Sequence, residues 1–106
     1  MVTGAAHTGR NVVRVSGEMD LEHAEQLRVS LMEAVTRAPA GSDVVVDLRN
    51  SSFCDSSGLN VLLAARQRAL DAGRHLVLAA PSHQMIRLLE FTRTYGLFSY
   101  GPVAAD

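Results

Sequence analysis

Lysine is absent from this 106-residue chain, and all ten of its basic residues are arginines. That absence excludes a lysine-bearing phosphate loop, a Schiff-base enzyme and a receiver domain that sets a lysine beside its phospho-accepting aspartate. Tryptophan is missing too, and two tyrosines and three phenylalanines give little support to base stacking. A formal net charge of −1 supplies no basic field, so no direct nucleic-acid partner is expected. The lone cysteine, Cys54, cannot form an internal disulfide, and beside Phe53 it reads as a small buried apolar residue rather than a nucleophile. His7, His23, His75 and His83 are scattered, with no pair one helical turn apart, so neither a metal site nor a cofactor is expected. The longest apolar runs, Val61 to Ala65 and Leu76 to Pro81, fall far short of the roughly 18–20 residues that cross a bilayer. Met1 to Arg10 lacks a basic start followed by an apolar stretch, so the expectation is a cytoplasmic protein with no membrane association.

What is present reads as a folded α/β domain. Hydrophobic residues make up 47% of the chain and charged residues 20%, a balance that argues against disorder. The length suits a single domain spanning 1–106, able to bury roughly 60–70% of the surface its unfolded chain exposes. Asn11 to Ser16 alternates as a strand, with Val13 and Val15 on one face, and the preceding Met1 to Thr8 is placed to pair with it through a turn at Gly9. Asp20 is positioned to cap a helix whose Ala24, Leu27, Leu31, Ala34, Val35 and Ala38 recur every three or four residues until Pro39 stops it. Val44 to Leu48 is a near-continuous apolar run, as expected of an interior strand covered on both faces, and Arg49 to Cys54 reads as a loop. Asp47, within that strand, is expected to face a neighbouring turn or solvent.

A second helix follows from about Ser57 to Ala72, with Leu59, Leu62, Leu63, Ala69 and Leu70 broadly on one side and Gly73 closing it. Arg66 falls near that apolar side, where it either snorkels at the helix edge or faces a partner. His75 to Ala79 reads as a strand, Pro81-Ser82 opens a third helix that runs toward Gly96, and Leu97 to Tyr100 reads as a last short strand before a loose tail from Gly101. Strand-then-helix units of this length argue for parallel strands joined by crossovers.

The candidate site is Asp55-Ser56-Ser57-Gly58, where a strand hands over to a helix. Asp55 is a natural N-cap, and Gly58 removes a side chain where a partner's backbone could come close. Unpaired amides and the positive end of the helix dipole favour an anion at such a point, so a phosphate on Ser56 could be accommodated without unfolding. No Gly-x-Ser-x-Gly elbow surrounds Ser56, so the chain does not read as a hydrolase or another enzyme.

The run from Val44 through Asp55-Ser56-Ser57-Gly58-Leu59 resembles the signature of the STAS family, specifically the bacterial anti-sigma factor antagonists. Gly17-Glu18-Met19-Asp20 resembles that family's Gly-Glu-(Leu/Ile)-Asp turn, and Leu88-Leu89-Glu90-Phe91-Thr92 resembles its Leu-Glu-Leu-Thr segment. The resemblance implies a small STAS fold: a mixed four- to five-stranded sheet with helices packed mainly on one face and the motif at the carboxyl end of a central strand. It also implies a function. Members bind an anti-sigma factor that is a serine kinase, release its sigma factor, and are switched off when the kinase phosphorylates the serine after the aspartate, here Ser56. A serine phosphatase would remove that phosphate. The implied partner-binding residues are Asp20, Asp55, Ser56, Ser57, Gly58 and Asn60. Asn60 stands where relatives often have glycine and Cys54 where many have methionine, so Asn60 is a candidate for setting which kinase is recognised. The alternative within the family is a ligand-sensing or transporter-associated STAS domain.

Overall fold

In the computed structural model, which describes residues 4–7 and 11–103, five strands form a single sheet in the order β1 (Gly4–His7), β2 (Val12–Met19), β3 (Asp43–Cys54), β4 (His75–Ala79) and β5 (Ser99–Gly101). β1 pairs antiparallel with β2, and each later neighbour pairs parallel. The hairpin at the start is therefore present, while its expected turn residue Gly9 and the tail beyond 103 lie outside the described residues. The three helices are α1 (Ala24–Arg37), α2 (Ser56–Asp71) and α3 (His83–Phe91).

Alternation along the strands and the helical repeat feed one core. Val13, Val15, Val44, Val46, Leu48 and Leu78 pack against Leu27, Leu31 and Val35 of α1, Leu59, Leu62 and Ala69 of α2, and Met85 and Leu89 of α3. Val45, expected under a second layer, is only half-buried, and Asp43 beside it is exposed. The apolar run through β3 reflects a central strand with one helix-covered face, not two.

Two further departures from the expected pattern lie in β3. Its predicted loop, Arg49 to Cys54, is strand: β2 continues opposite it, pairing Ser16 with Asn50, Gly17 with Ser51 and Met19 with Cys54, with two register shifts and Gly17 at φ +82°. Polar side chains hid this extension, because the ladder here is built from backbone rather than apolar alternation.

Asp47 is the second. It is 3% exposed, its carboxylate accepting from Arg49 Nη2 at 2.8 Å and from the Arg49 backbone N–H at 3.1 Å, with Arg14 Nε at 3.5 Å. Burial pushes its carboxyl upward, but the Arg49 hydrogen bonds and the charges of Arg49 and Arg14 outweigh it and hold the group below the ordinary carboxylate range. A depressed folded-state pKa stabilises above the unfolded value of about 3.9, and that stability is lost as pH falls through the folded value. Asp47→Ala is expected to cost about 1–2 kcal/mol at neutral pH, since Arg49, its main partner, has an exposed side chain that can turn to water once released. The same substitution should flatten acid denaturation below about pH 4. An unchanged acid limb in urea titrations would remove Asp47 from that role.

The remaining differences are at ends. α3 stops at Phe91 rather than near Gly96, because Arg93 turns the chain at φ 61° and the N–H groups of Arg93 and Thr94 donate back to the Glu90 and Leu89 carbonyls at 3.1 and 2.9 Å. Gly101, expected in the tail, ends β5. Leu70, placed on the apolar side of α2, is 40% exposed. Arg66 lies at the helix edge, its Nε donating to the Leu97 carbonyl, which is the snorkelling alternative.

Candidate functional site

At the carboxyl ends of β2 and β3 the chain turns twice, and the two turns touch. The Asp55 N–H donates to the Met19 carbonyl at 3.1 Å, so the Gly17-Glu18-Met19-Asp20 turn and the Asp55-Ser56 motif are joined by their backbones. Gly58 explains how they come so close: a Cβ there would lie 2.3 Å from the Met19 oxygen and 2.8 Å from the Met19 Cβ. The close approach expected at Gly58 is thus to this chain's own β2. Gly58 is buried, and its part in the site is to let α2 sit against Met19.

Asp55 caps α2 as its position suggested. Its Oδ1 accepts from the Ser57 N–H at 2.8 Å and the Gly58 N–H at 3.2 Å, while its carbonyl accepts from Leu59. This corrects the picture of open amides waiting for an anion: the N–H groups of residues 57, 58 and 59 are already engaged. A phosphate on Ser56 has the helix dipole behind it and the Asp55 carboxylate beside it, with no ready cradle of amides.

Ser56 is the first residue of α2 and is exposed, Asn60 is exposed one turn later on the same side, and Ser57 is half-buried. Asp20 caps a single 3-10 turn, Leu21–His23, that leads into α1. Its Oδ1 meets both the His23 N–H at 3.1 Å and His23 Nδ1 at 2.6 Å. Partial desolvation pushes the Asp20 carboxyl up, and the hydrogen bonds and charge from His23 outweigh it, leaving the group below its ordinary value. Of the six candidate residues, the structure therefore brings Asp20, Asp55, Ser56, Ser57 and Asn60 to one end of the sheet, with Gly58 beneath them.

Two residues at this end escaped the sequence reading. Leu21, next to Asp20, is 77% exposed, and Phe53, paired across the strands with Glu18, is 43% exposed. A large apolar side chain left in water beside a polar motif is a contact signal, but only the fold shows that these two flank it. Glu18, Asp20 and His23 also gather with ligand atoms within 4.8 Å of one another, which histidine spacing did not reveal. His23 Nδ1 is engaged by Asp20 and Glu18 accepts from Ser52, so the group reads as a hydrogen-bonded turn.

Cys54 is 1% exposed, and burial, with the Asp55 charge adding to it, pushes its thiol up to about 12. It stays protonated, as a small packing residue would. Among the described residues no helix is long and apolar enough to cross a membrane.

The profile of the family described as "Mlab, STAS domain" matches residues 3–98. An anti-sigma F factor antagonist of Paenibacillus polymyxa is 32% identical over 97 residues, covering 92% of this chain and 80% of that protein. The crystal structure of an anti-sigma factor antagonist from Mycobacterium paratuberculosis superposes with a TM-score of 0.73 at 26% identity, covering 96% of this chain and 86% of that one. SpoIIAA shares the fold in both its forms. The unphosphorylated form has a TM-score of 0.66 at 20% identity, covering 99% of this chain and 90% of its own; the phosphorylated form has 0.65 at 24%, covering 97% and 92%. A mixed sheet with a helix-covered face, an Asp-capped serine at the end of its central strand and these matches across nearly the whole chain place it in one family: this chain belongs to the STAS-domain anti-sigma factor antagonists.

Proposed function

We propose that this chain, acting as one STAS domain in the cytoplasm, binds an anti-sigma factor that is also a serine kinase, frees the sigma factor held by it, and is inactivated when that kinase phosphorylates Ser56. A serine phosphatase restores the active form. The observation that carries this reading is the exposed Ser56 at the first position of α2, next to the Asp55 cap and against the Asp20 turn. The chain contributes a surface and an acceptor hydroxyl; the chemistry belongs to the partner's ATP. The binding surface comprises Ser56, Ser57 and Asn60 with Asp20, and Leu21 and Phe53 supply its apolar contacts. Asp55 and Gly58 hold the acceptor in place.

Ser56 is expected to be the sole acceptor. Phosphopeptide mapping after incubation with ATP and the partner kinase should find phosphate on Ser56, none in Ser56→Ala, and none when the kinase is left out. Phosphate on Ser57 would refute the assignment, and phosphate without kinase would make the chain an enzyme. Phosphorylated and unmodified protein should differ by less than ~1 kcal/mol in unfolding free energy, because a helix dipole worth ~0.3–1 kcal/mol is offset by Asp55. A much larger difference in denaturant titrations would mean that the switch works by unfolding.

Asn60 lies on the exposed side of α2 and supports no core contact, so Asn60→Ala is expected to weaken kinase binding roughly threefold to tenfold with no change in melting temperature. Leu21→Ala should do the same. Asp20→Ala is a poorer probe, since it also removes the cap on the turn at Leu21. Calorimetry showing unaltered affinity in both Asn60→Ala and Leu21→Ala would move the interface elsewhere.

A further inference from the structure

β4 is too short to support the end of β3. Its last pair with β3 is Ala79 opposite Asp47, seven positions before Cys54, so beyond that point, among the described residues, β3 has a strand neighbour only on its β2 side. Parallel strands bond alternately to left and right, and here Asp55 faces β2 through the Met19 carbonyl. Cys54 faces the other way, where no strand continues. Its backbone is nonetheless satisfied on that side: the Cys54 N–H donates to Gln84 Oε1 at 2.9 Å, and Gln84 Nε2 donates to the Cys54 carbonyl at 2.6 Å. A primary amide has the donor and acceptor of a peptide group, so the Gln84 side chain stands in for one residue of the missing strand.

From this geometry, and resting on the function proposed above, we infer that Gln84 is a positioning residue for the phosphate acceptor. It fixes Cys54, one residue before the Asp55 cap and two before Ser56, from the β4 side while Met19 fixes Asp55 from the β2 side. The acceptor loop is thereby clamped between β2 and the first turn of α3. The bond is specific to an amide at this position, because a carboxylate retains the acceptor but has no proton to give the Cys54 carbonyl. Gln84 also lies on a groove of about 680 Å³ lined by His83, Arg87, Leu88 and Phe91.

Two variants separate positioning from mere packing. Gln84→Met keeps the length and loses both hydrogen bonds; Gln84→Glu keeps only the acceptor. Hydrogen exchange followed by NMR should show the Cys54 amide exchanging about tenfold faster in Gln84→Met, the loss expected of one net hydrogen bond, with the Val46 and Leu78 amides unchanged. Gln84→Glu should retain most of that protection. With the kinase captured by Ser56→Ala as the probe, phosphorylation of Ser56 in Gln84→Met should fall about tenfold in kcat/KM, because a loosened loop holds the competent arrangement for a smaller fraction of time. Gln84→Glu should fall between Gln84→Met and the unaltered chain, and should Gln84→Met fail to fold its phosphorylation rate carries the test, an unaltered kcat/KM overturning the positioning role. Unchanged Cys54 exchange in Gln84→Met overturns the clamp. Faster exchange with unaltered phosphorylation overturns the positioning role. A native chain that takes no phosphate at Ser56 defeats the underlying function instead, and is told apart because Cys54 exchange still responds to Gln84.

Discussion

Gly58→Ala is expected to lower the melting temperature by roughly 8–16 °C, from a net loss of about 2 kcal/mol. The added methyl group would sit 2.3 Å from the Met19 oxygen and 2.9 Å from its carbonyl carbon, contacts with backbone that cannot swing aside. Overpacking at a fully constrained site costs ~3 kcal/mol, and the better helix propensity of alanine returns at most ~1 kcal/mol. Relief requires α2 to lift away from β2, and that movement strains the Asp55 N–H to Met19 carbonyl bond at the base of the acceptor loop. The variant should therefore lose kinase binding at temperatures where it is still folded. Thermal unfolding within about 2 °C of the native protein would show that β2 yields easily and that Gly58 is not required there.

Gly58 also shows what the sequence could and could not convey. That a backbone could come close at Gly58 was legible from its missing side chain, although a partner's backbone was expected there. Which backbone it had to admit was not, because Met19 lies 39 positions earlier and meets it only through the pairing of β2 with β3. The same division runs through the rest of the fold. Periodicity located β4 at His75–Ala79 and the buried stripe of α1 correctly, since in both the apolar pattern and the packing coincide. It failed over Arg49 to Cys54, where the strand is held by backbone pairing and an amide side chain beneath polar residues. It failed again at Asp47, because a carboxylate inside a strand carries no sign of the arginines that fold onto it. At the site, capping chemistry made Asp55 readable and the motif made Ser56 readable; the exposure of Leu21 and Phe53 needed the assembled sheet end. The expectation of free helix amides holds only in part, for a local reason: a cap good enough to start the helix also occupies two of the amides that an anion would use.

That occupancy determines how the proposed switch works, and phosphorylation of Ser56 is expected to weaken kinase binding at least about a hundredfold. A phosphoserine carries roughly −1.5 to −2 charges, and the Ser57 and Gly58 amides that could help to neutralise it are held by Asp55. The charge stays on the surface, next to the Asp55 carboxylate, where the unmodified protein presents a neutral hydroxyl. Setting it into a contact shaped for that hydroxyl costs several kilocalories per mole, and ~3 kcal/mol already corresponds to a hundredfold in affinity. The fold need not change for this to happen, because the charge is added at an exposed position. Ser56→Asp, with a single charge on a shorter side chain, should reproduce part of the loss. Ser56→Ala should bind like the unmodified protein and remain active in the presence of kinase and ATP. Because the penalty is electrostatic and at an exposed position, it should shrink as ionic strength rises, whereas a steric penalty would not. Titration of the purified phosphorylated and unmodified chains against the kinase at low and high salt separates these outcomes. Equal affinity of the two forms would end the partner-switching mechanism and leave a ligand-sensing STAS domain as the better account of this chain.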